Sequence, residues 1–549
     1  MEERGETAVV QENLLYYGDN LDVLRRHVPD ESVDLVYLDP PFNSAQDYNV
    51  LFKERNGTES AAQIRAFEDT WRWDQVAARA YQEIVEGGGK VAQAMIAFHS
   101  YLGANDMLAY LAMMAPRLAE LRRVLKETGT IYLHCDPTAS HYLKILMDAV
   151  FGPANFLNDI TWERFNFHAD AHRWGRLHDI VLCFAKSAGK HLYTTQRKGY
   201  DEKYIKSHFK KDKDGRLYRL DNALAAGQGP ARVFFGKTLK PKAGTHWRWS
   251  QENIDKLIAQ GRIVLTGKGM PSIIRYLDEM PGHPIGDVWT DIPEINSQAH
   301  ERLGYPTQKP LVLLERIIQA SSNPGDLVLD PFCGCGTAIA AAQELSRRWI
   351  GIDITHLAIS LQKYRMEAMF PDISFRVVGE PEDIGAAYQL AHDSRYQFQW
   401  WALSLVRAKP LGGQEGSKAG KKGSDKGVDG IITFIDDAYA KPKRVLVQVK
   451  SGHVNAGDIR DLIGTVEQEK AVMGVLITLE PPTGPMESAA VTAGYYHSPG
   501  WNQDYRRIQI LTIEHLLKGA EVKMPPTAQT FKQAPKVGPD KEEQSTLGL

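Results

Sequence analysis

Cysteine is almost missing from this chain: four in 549 residues. Four thiols cannot staple a chain of this length, so a disulfide scaffold is excluded and a reducing, cytoplasmic compartment is expected. Long apolar runs are missing too. No stretch approaches the ~18–20 uninterrupted apolar residues of a membrane span, so no membrane partner is expected. Residues 1–11 bring acids and no apolar core, and do not read as a secretory signal. Net charge is nearly absent: 65 Lys and Arg against 68 Asp and Glu leave −3, which by itself names no polyanionic partner. No internal repeat is visible. What remains is a soluble globular composition, 43% hydrophobic and 24% charged. Its length suits three or four domains at about 150 residues each.

The near-neutral total hides a local excess. Residues 186–275 hold twenty Lys and Arg against seven Asp and Glu, so the rest of the chain carries a net sixteen negative charges. The same window interleaves Tyr200, Tyr204, Phe209, Tyr218, Phe234, Phe235, Trp247 and Trp249. A single lysine run is usually a solvated surface. An excess this large in one window reads as a polyanion-binding module.

On both sides of the window the pattern alternates short apolar strands with helical periodicity. Strands are predicted over 33–38, 129–133, 327–329 and 349–352. Helices are predicted over 107–125, 139–151, 311–321 and 338–345. This alternation predicts a doubly wound, mostly parallel sheet. Residues 411–428 hold six glycines and four lysines, the composition of a basic loop or linker. A compact α/β block is predicted over 396–519, and 520–549, with four prolines and little apolar content, reads as a disordered tail.

Three motifs carry chemistry. In the first, the strand 33–38 runs into Asp39-Pro40-Pro41-Phe42. Proline has no N–H, so this turn leaves carbonyls free to accept hydrogen bonds. A carboxylate beside a rigid carbonyl forms an acceptor pair for an NH2 group, and an aromatic ring three residues on can stack on a planar base. The plain alternative is a capped strand followed by a stiff turn. In the second, LVLD ends at Asp330, PFCGCGT follows, and a second strand ends at Asp353. This is a strand, a Gly-rich turn and a helix, with an acid about twenty residues on that can accept hydrogen bonds from ribose hydroxyls. Asp330 would repel a pyrophosphate and suits a ligand with an ammonium group. Cys333 and Cys335 do not have the spacing of a zinc pair, and no further ligands lie near them in sequence.

Together DPPF, YPTQKP (305–310), LVLDPFCGCGT and GIDI resemble the signature set of S-adenosylmethionine-dependent DNA amino-methyltransferases, over roughly 11–369. The amine motif precedes the cofactor motif with the basic window between them, an order that resembles the β class. The resemblance implies double-stranded DNA as partner and S-adenosylmethionine as cofactor. It further implies that Asp39 and the Pro40 carbonyl receive the amine of a flipped base, with Pro41 shaping the turn and Phe42 stacking. Asp330, Phe332, Cys333, Gly334, Gly336 and Thr337 would lie along the methionine end, Asp353 at the ribose and Asp19 near the adenine. Thr307 and Lys309 would lie close to the cofactor carboxylate. Asp at position 39, where cytosine enzymes of the family more often have Ser, favours adenine N6 over cytosine N4. The stretches Gly18-Asp19, His134-Cys135-Asp136, Phe151-Gly152 and His178-Asp179 also match.

The third motif pairs a strand entered at Asp429 with a strand carrying Gln448 and Lys450. An acid and an amide oxygen can hold a hard divalent ion while Lys polarises water or phosphate. The block resembles the PD-(D/E)xK nuclease fold, especially its Mrr-like branch, and Asp429 and Gln448 would be the Mg2+ ligands. The alternative is an inactive module that only binds DNA. No phosphate loop of an ATP-driven motor is present.

The expected architecture is therefore α/β: a Rossmann-like methyltransferase (1–185 and 301–395), a basic target recognition region (186–300), a restriction-endonuclease-like domain (396–519) and a tail (520–549). The expected activity is adenine-N6 methylation within a restriction–modification system, with an attached endonuclease. Cytosine N4 methylation and a non-catalytic DNA reader are the rivals. A homodimer is compatible with the sequence.

Overall fold

A computed structural model describes residues 12–41, 73–164, 172, 174–296, 299, 301–303, 305, 307–410, 428–436 and 442–525. The chain divides into two compact units, residues 195–286 and the parts that flank them.

The flanking unit holds a nine-stranded sheet. Its strands are β1 (Asn13–Tyr17), β2 (Val33–Leu38), β3 (Leu125–Cys135), β4 (Phe156–Glu163), β5 (His178–Ala185), β6 (Val288–Trp289), β7 (Leu327–Asp330), β8 (Arg348–Asp353) and β9 (Phe375–Val378). They lie in the order β6-β4-β5-β3-β2-β7-β8-β1-β9. All neighbours are parallel except β3/β5 and β4/β5. Strands covered on both faces read as continuous apolar runs, and β2 and β7 are such runs. The one acid inside β2, Asp34, is compensated by Lys126 Nζ at 2.8 Å and by the Leu327 N–H at 2.9 Å.

Capping residues explain where the helices begin. Asp19 caps Asn20–His27, Asn105 caps Asp106–Val124, and Asp136 caps Pro137–Phe151 with proline at the first turn. The Ala-rich helix Thr337–Glu344 buries six of its residues. Helices Gln75–Gly87 and Gly89–Leu102 lie outside the elements predicted from sequence; the first buries none of its residues, so it carries little apolar signal. No helix among the described residues is long and apolar enough to cross a membrane.

From β2 the chain continues to β3, whereas from β7 it continues to β8 on the opposite side. The two strands are nevertheless neighbours, with Leu35 opposite Val328 and Val36 opposite Leu329. Such a reversal leaves a crevice beyond the carboxyl ends of the strands, where ligands of doubly wound sheets bind. Asp39 and Asp330 sit at that edge.

The C-terminal block builds a second sheet from Lys409–Pro410, β10 (Gly430–Phe434), β11 (Lys443–Lys450), β12 (Met473–Thr478) and β13 (Ile508–Thr512), in that order. Alternate residues of β11 go to opposite faces. Val445 and Val447 pack with Phe398 and Trp401 of helix Arg395–Leu405, and Leu446 packs with Ile459, Leu462 and Val466 of helix Ala456–Gln468. Helix Arg395–Leu405 also meets helix His356–Met369, which follows β8 of the large sheet. Its Gln397 accepts the His356 N–H at 2.7 Å, and the Trp400 carbonyl accepts the Ser360 hydroxyl at 3.0 Å.

The unit 195–286 is built from short strands and two helices around a core of Leu224, Phe234, Trp247, Ile254 and Ile263. It overlaps the basic window 186–275: β5 ends at Ala185, and β6 at Val288 returns to the large sheet.

Candidate active site

Asp39, Pro40 and Pro41 from the end of β2 line a cavity of about 1120 Å³, together with Asp330, Phe332, Cys333, Gly334, Thr337 and Asp353. Asp19, Thr307 and Lys309 reach the same cavity. Phe42 lies outside the described residues. Gly336 lies behind the wall; its φ is +76°, and a Cβ there would meet Gln362 Cγ at 2.8 Å, so only glycine fits.

Three carboxylates converge here. Asp330 is 3% exposed and accepts the Phe332 N–H at 3.0 Å. Burial pushes its pKa well above the carboxylate range, and the charges of Asp39 and Asp353 push the same way. Burial also raises Asp353 to about 6, against the pull of donors from Thr355 and Gly334. Asp353 Oδ1 accepts the Thr355 N–H and hydroxyl at 2.9 Å, and Oδ2 accepts the Gly334 N–H at 2.9 Å. This pocket would gain from a cation. Gly334, at φ +48°, brings bare backbone to the wall, where a Cβ would press on Tyr305 at 3.1 Å. A buried carboxylate, an acid at the next strand end and an uncovered loop between them fit a nucleoside with a cationic tail.

Lys309 is almost fully buried, and its Nζ lies 2.5 Å from Asp39 Oδ2. Its loop is clamped: Gln308 accepts the Leu303 N–H at 2.8 Å and donates to the Glu301 carbonyl at 2.6 Å. Thr307 is held at φ +62°, a costly value for a β-branched residue. Asp19 is the helix cap, accepting the Leu21 N–H at 2.8 Å, and also pairs with Arg117 Nη2 at 2.7 Å.

One polar chain had not been assigned a role from sequence. Tyr37, two residues before Asp39 and lining the same cavity, bonds His134 Nδ1 at 3.1 Å. His134 Nε2 lies 3.0 Å from Asp179 Oδ2, which also meets Arg164 at 3.2 Å. Burial alone would raise Asp179; the His134 hydrogen bond with the Lys309 and Arg164 charges outweighs it and holds the group low. An ionised Asp179 can only accept, so His134 donates from Nε2, and the neutral form of the ring accepts at Nδ1. Tyr37 donates to that neutral form, and its own oxygen is left as an acceptor. The HCD and HDI stretches were its only trace in the sequence.

The thiols of Cys333 and Cys335 are free and buried, and burial raises both. Among the described residues no group of three or more His, Cys, Asp or Glu could hold a metal.

In the C-terminal block, Asp429 Oδ1 accepts from Gln399 Nε2 at 3.0 Å and Oδ2 from the Val449 N–H at 2.6 Å. Gln448 is 8% exposed and its Oε1 has no hydrogen-bond partner. Lys450 Nζ pairs with Asp458 at 3.4 Å. Asp429 and Gln448 thus offer one carboxylate, already engaged by two protein donors, and one neutral amide oxygen without a partner.

Comparison with known proteins follows this division. Residues 415–518 match a family model described as NACHT-associated inactive Restriction Endonuclease 1. The Type II methyltransferase M.EcaI of Enterobacter cloacae is 28% identical over 351 residues, 63% of this chain and 68% of that protein. The StyLTI Mod subunit of a Type III restriction-modification enzyme from Salmonella typhimurium is 27% identical, over 61% of this chain and half of its own length. The DNA adenine methyltransferase YhdJ of Escherichia coli is 23% identical over 64% of this chain and 82% of its own. The model described as DNA methylase matches residues 33–363, and the chain belongs to that family.

Proposed function

We propose that this protein methylates the exocyclic N6 amine of adenine in double-stranded DNA, as the modifying enzyme of a restriction–modification system in the cytoplasm. The observation that carries this reading is the convergence of Asp39 and Asp330, from neighbouring strands, on one cavity.

The Asp39 carboxylate and the Pro40 carbonyl accept the amine's two hydrogens and direct its lone pair, with the Tyr37 oxygen sharing one of those hydrogens from the same wall. Phe42 stacks on the base. S-adenosylmethionine supplies the methyl group on a positively charged sulfur. The Asp330 end of the cavity favours that charge, Asp353 accepts the ribose hydroxyls, and Asp19 closes the adenine end. Holding the reacting atoms in line accounts for most of the rate enhancement, because the transfer needs little acid–base help. Asp at position 39 supports adenine, as does the likeness to a named adenine enzyme. The C-terminal block acts as a DNA-binding module without cleavage.

The test is expression in a host lacking DNA methylation, with the modified bases sequenced genome-wide and the nucleosides identified by mass spectrometry. N6-methyladenine at a fixed motif, lost in Asp39→Ala, is expected. N4-methylcytosine would replace the adenine reading, and unmodified DNA would refute methylation.

A further inference from the structure

Within the unit 195–286, strands Arg232–Phe234 and Lys237–Leu239 form a hairpin with Phe234 opposite Lys237, so Phe235 and Gly236 are the whole turn. Both have positive φ, +48° and +76°. A two-residue turn with both φ positive prefers Asn-Gly or Asp-Gly. A bulky aromatic in the first place is an outlier. The ring gains little from packing, since Phe235 is 47% exposed.

The hairpin is held by three pins. Phe234 is fully buried, its ring 4.8 Å from that of Trp247. Gln251 grips Val233 from both sides, accepting its N–H and donating to its carbonyl, each at 2.8 Å. The Trp247 indole donates to the Leu239 carbonyl at 3.1 Å. A strained residue persists where its surroundings over-determine it, and such residues gather at functional sites.

Charge gives the partner. From 222 to 251 the sequence has no Asp or Glu, and it carries Arg232, Lys237, Lys240, Lys242 and Arg248. An aromatic tip among cations alone matches a polyanion with an apolar interior to enter. Duplex DNA is that partner: cations hold phosphates, and an apolar side chain can part stacked base pairs. Chemistry on an exocyclic amine also requires its base to leave the stack.

We propose that Phe235 is a wedge that enters the base stack of duplex DNA, with Lys237, Lys240 and Lys242 on the flanking phosphates. This rests on the DNA methylase reading and goes beyond it by assigning the residue that disturbs the duplex.

The test uses the full chain and a duplex bearing the motif found by methylome sequencing, with 2-aminopurine beside the target adenine. Wild type should bind it and raise the 2-aminopurine fluorescence. Phe235→Ala should weaken binding roughly five- to a hundredfold, the worth of one base stacked on an aromatic ring. It should also abolish the fluorescence rise and leave the salt dependence unchanged. Lys237→Ala and Lys240→Ala should each lower the log–log salt slope by about 0.9. Phe235→Asn separates a wedge from a structural role. It should melt at a higher temperature than wild type, because Asn suits the turn, and still lose DNA affinity.

Phe235→Ala binding as wild type does, or Phe235→Asn melting lower with affinity intact, would overturn the wedge while leaving methylation standing. A Phe235-dependent affinity for poly-glutamate in place of duplex would replace it with an acidic protein partner. Wild type that binds no duplex would overturn both readings.

Discussion

Lys309 Nζ and Asp39 Oδ2 are 2.5 Å apart across 270 residues of sequence. The family resemblance directs Lys309 to the cofactor's carboxylate, whereas here its ammonium meets the Asp39 carboxylate. The two roles separate experimentally. If Lys309 holds Asp39, Lys309→Met should cut turnover roughly tenfold or more, the worth of one charge-assisted hydrogen bond of about 1.5–3 kcal/mol. Cofactor affinity should not fall, because removing a cation from among three carboxylates makes the pocket more attractive to a cation. Isothermal calorimetry beside single-turnover methyl transfer reads both. A loss of affinity with turnover preserved would return Lys309 to the cofactor.

Asp353 carries a pH dependence. Burial raises it to about 6, so the free protein holds it protonated below that pH and ionised above. A ribose hydroxyl donates more strongly to the ionised form. Cofactor affinity should therefore rise with pH through about 6 and level off near neutrality. Asp353→Ala should bind ten- to a hundredfold more weakly at pH 8, from about 1.5–3 kcal/mol, and the step near pH 6 should vanish. A step that survives in the variant belongs to another group.

The relay behind Tyr37 rests on the ionised state of Asp179. Asp179→Asn can donate to His134 Nε2 through its amide, an arrangement that carries the proton at Nδ1. Tyr37 then accepts from His134 and turns its own hydrogen toward the cavity, where the amine also brings hydrogens. Turnover should fall roughly two- to tenfold, the value of a neutral hydrogen bond of about 0.5–1.5 kcal/mol, with cofactor affinity intact. Nitrogen-15 spectra should show His134 changing tautomer. Unchanged spectra with full turnover would make the chain a packing feature only.

What could be read in sequence was what is local. A strand that ends on an acid and a Pro-Pro turn announces Asp39, and a strand, a glycine turn and an acid about twenty residues on announce Asp330 and Asp353. The helix at 311–321 was legible to the residue because its apolar spacing is unbroken. The partners of those residues were not. Lys309 reaches Asp39 through a loop with Thr307 at positive φ, which no periodicity encodes. His134 meets Asp179 only because β3 and β5 are antiparallel neighbours, with His134 opposite Val181. In the C-terminal block the alternation of β11 was readable, but the donors that occupy Asp429 come from Gln399, thirty residues earlier, and from the backbone of Val449.

Gln448 offers the sharpest test of the C-terminal block. Its side-chain oxygen is buried without a hydrogen-bond partner, on the strand where an active nuclease would carry a second carboxylate. Gln448→Glu supplies that carboxylate. In a protein that binds no metal there, ionising the new acid in a buried site should cost about 1–3 kcal/mol. Burial raises the acid's folded pKa, so stability should be near wild type at low pH and lost as pH rises through that value. The variant should thus melt below wild type at pH 8 and close the gap near pH 4. Mg2+ should leave the wild-type Tm unchanged. If Asp429 can turn from Gln399 toward a metal, Mg2+ should recover part of the variant's loss, and the block keeps a nuclease frame that lacks one ligand. Plasmid incubated with wild type and Mg2+ or Mn2+ should stay uncut. Metal-dependent cutting by wild type that disappears in Lys450→Ala would show that the site assembles on DNA after all.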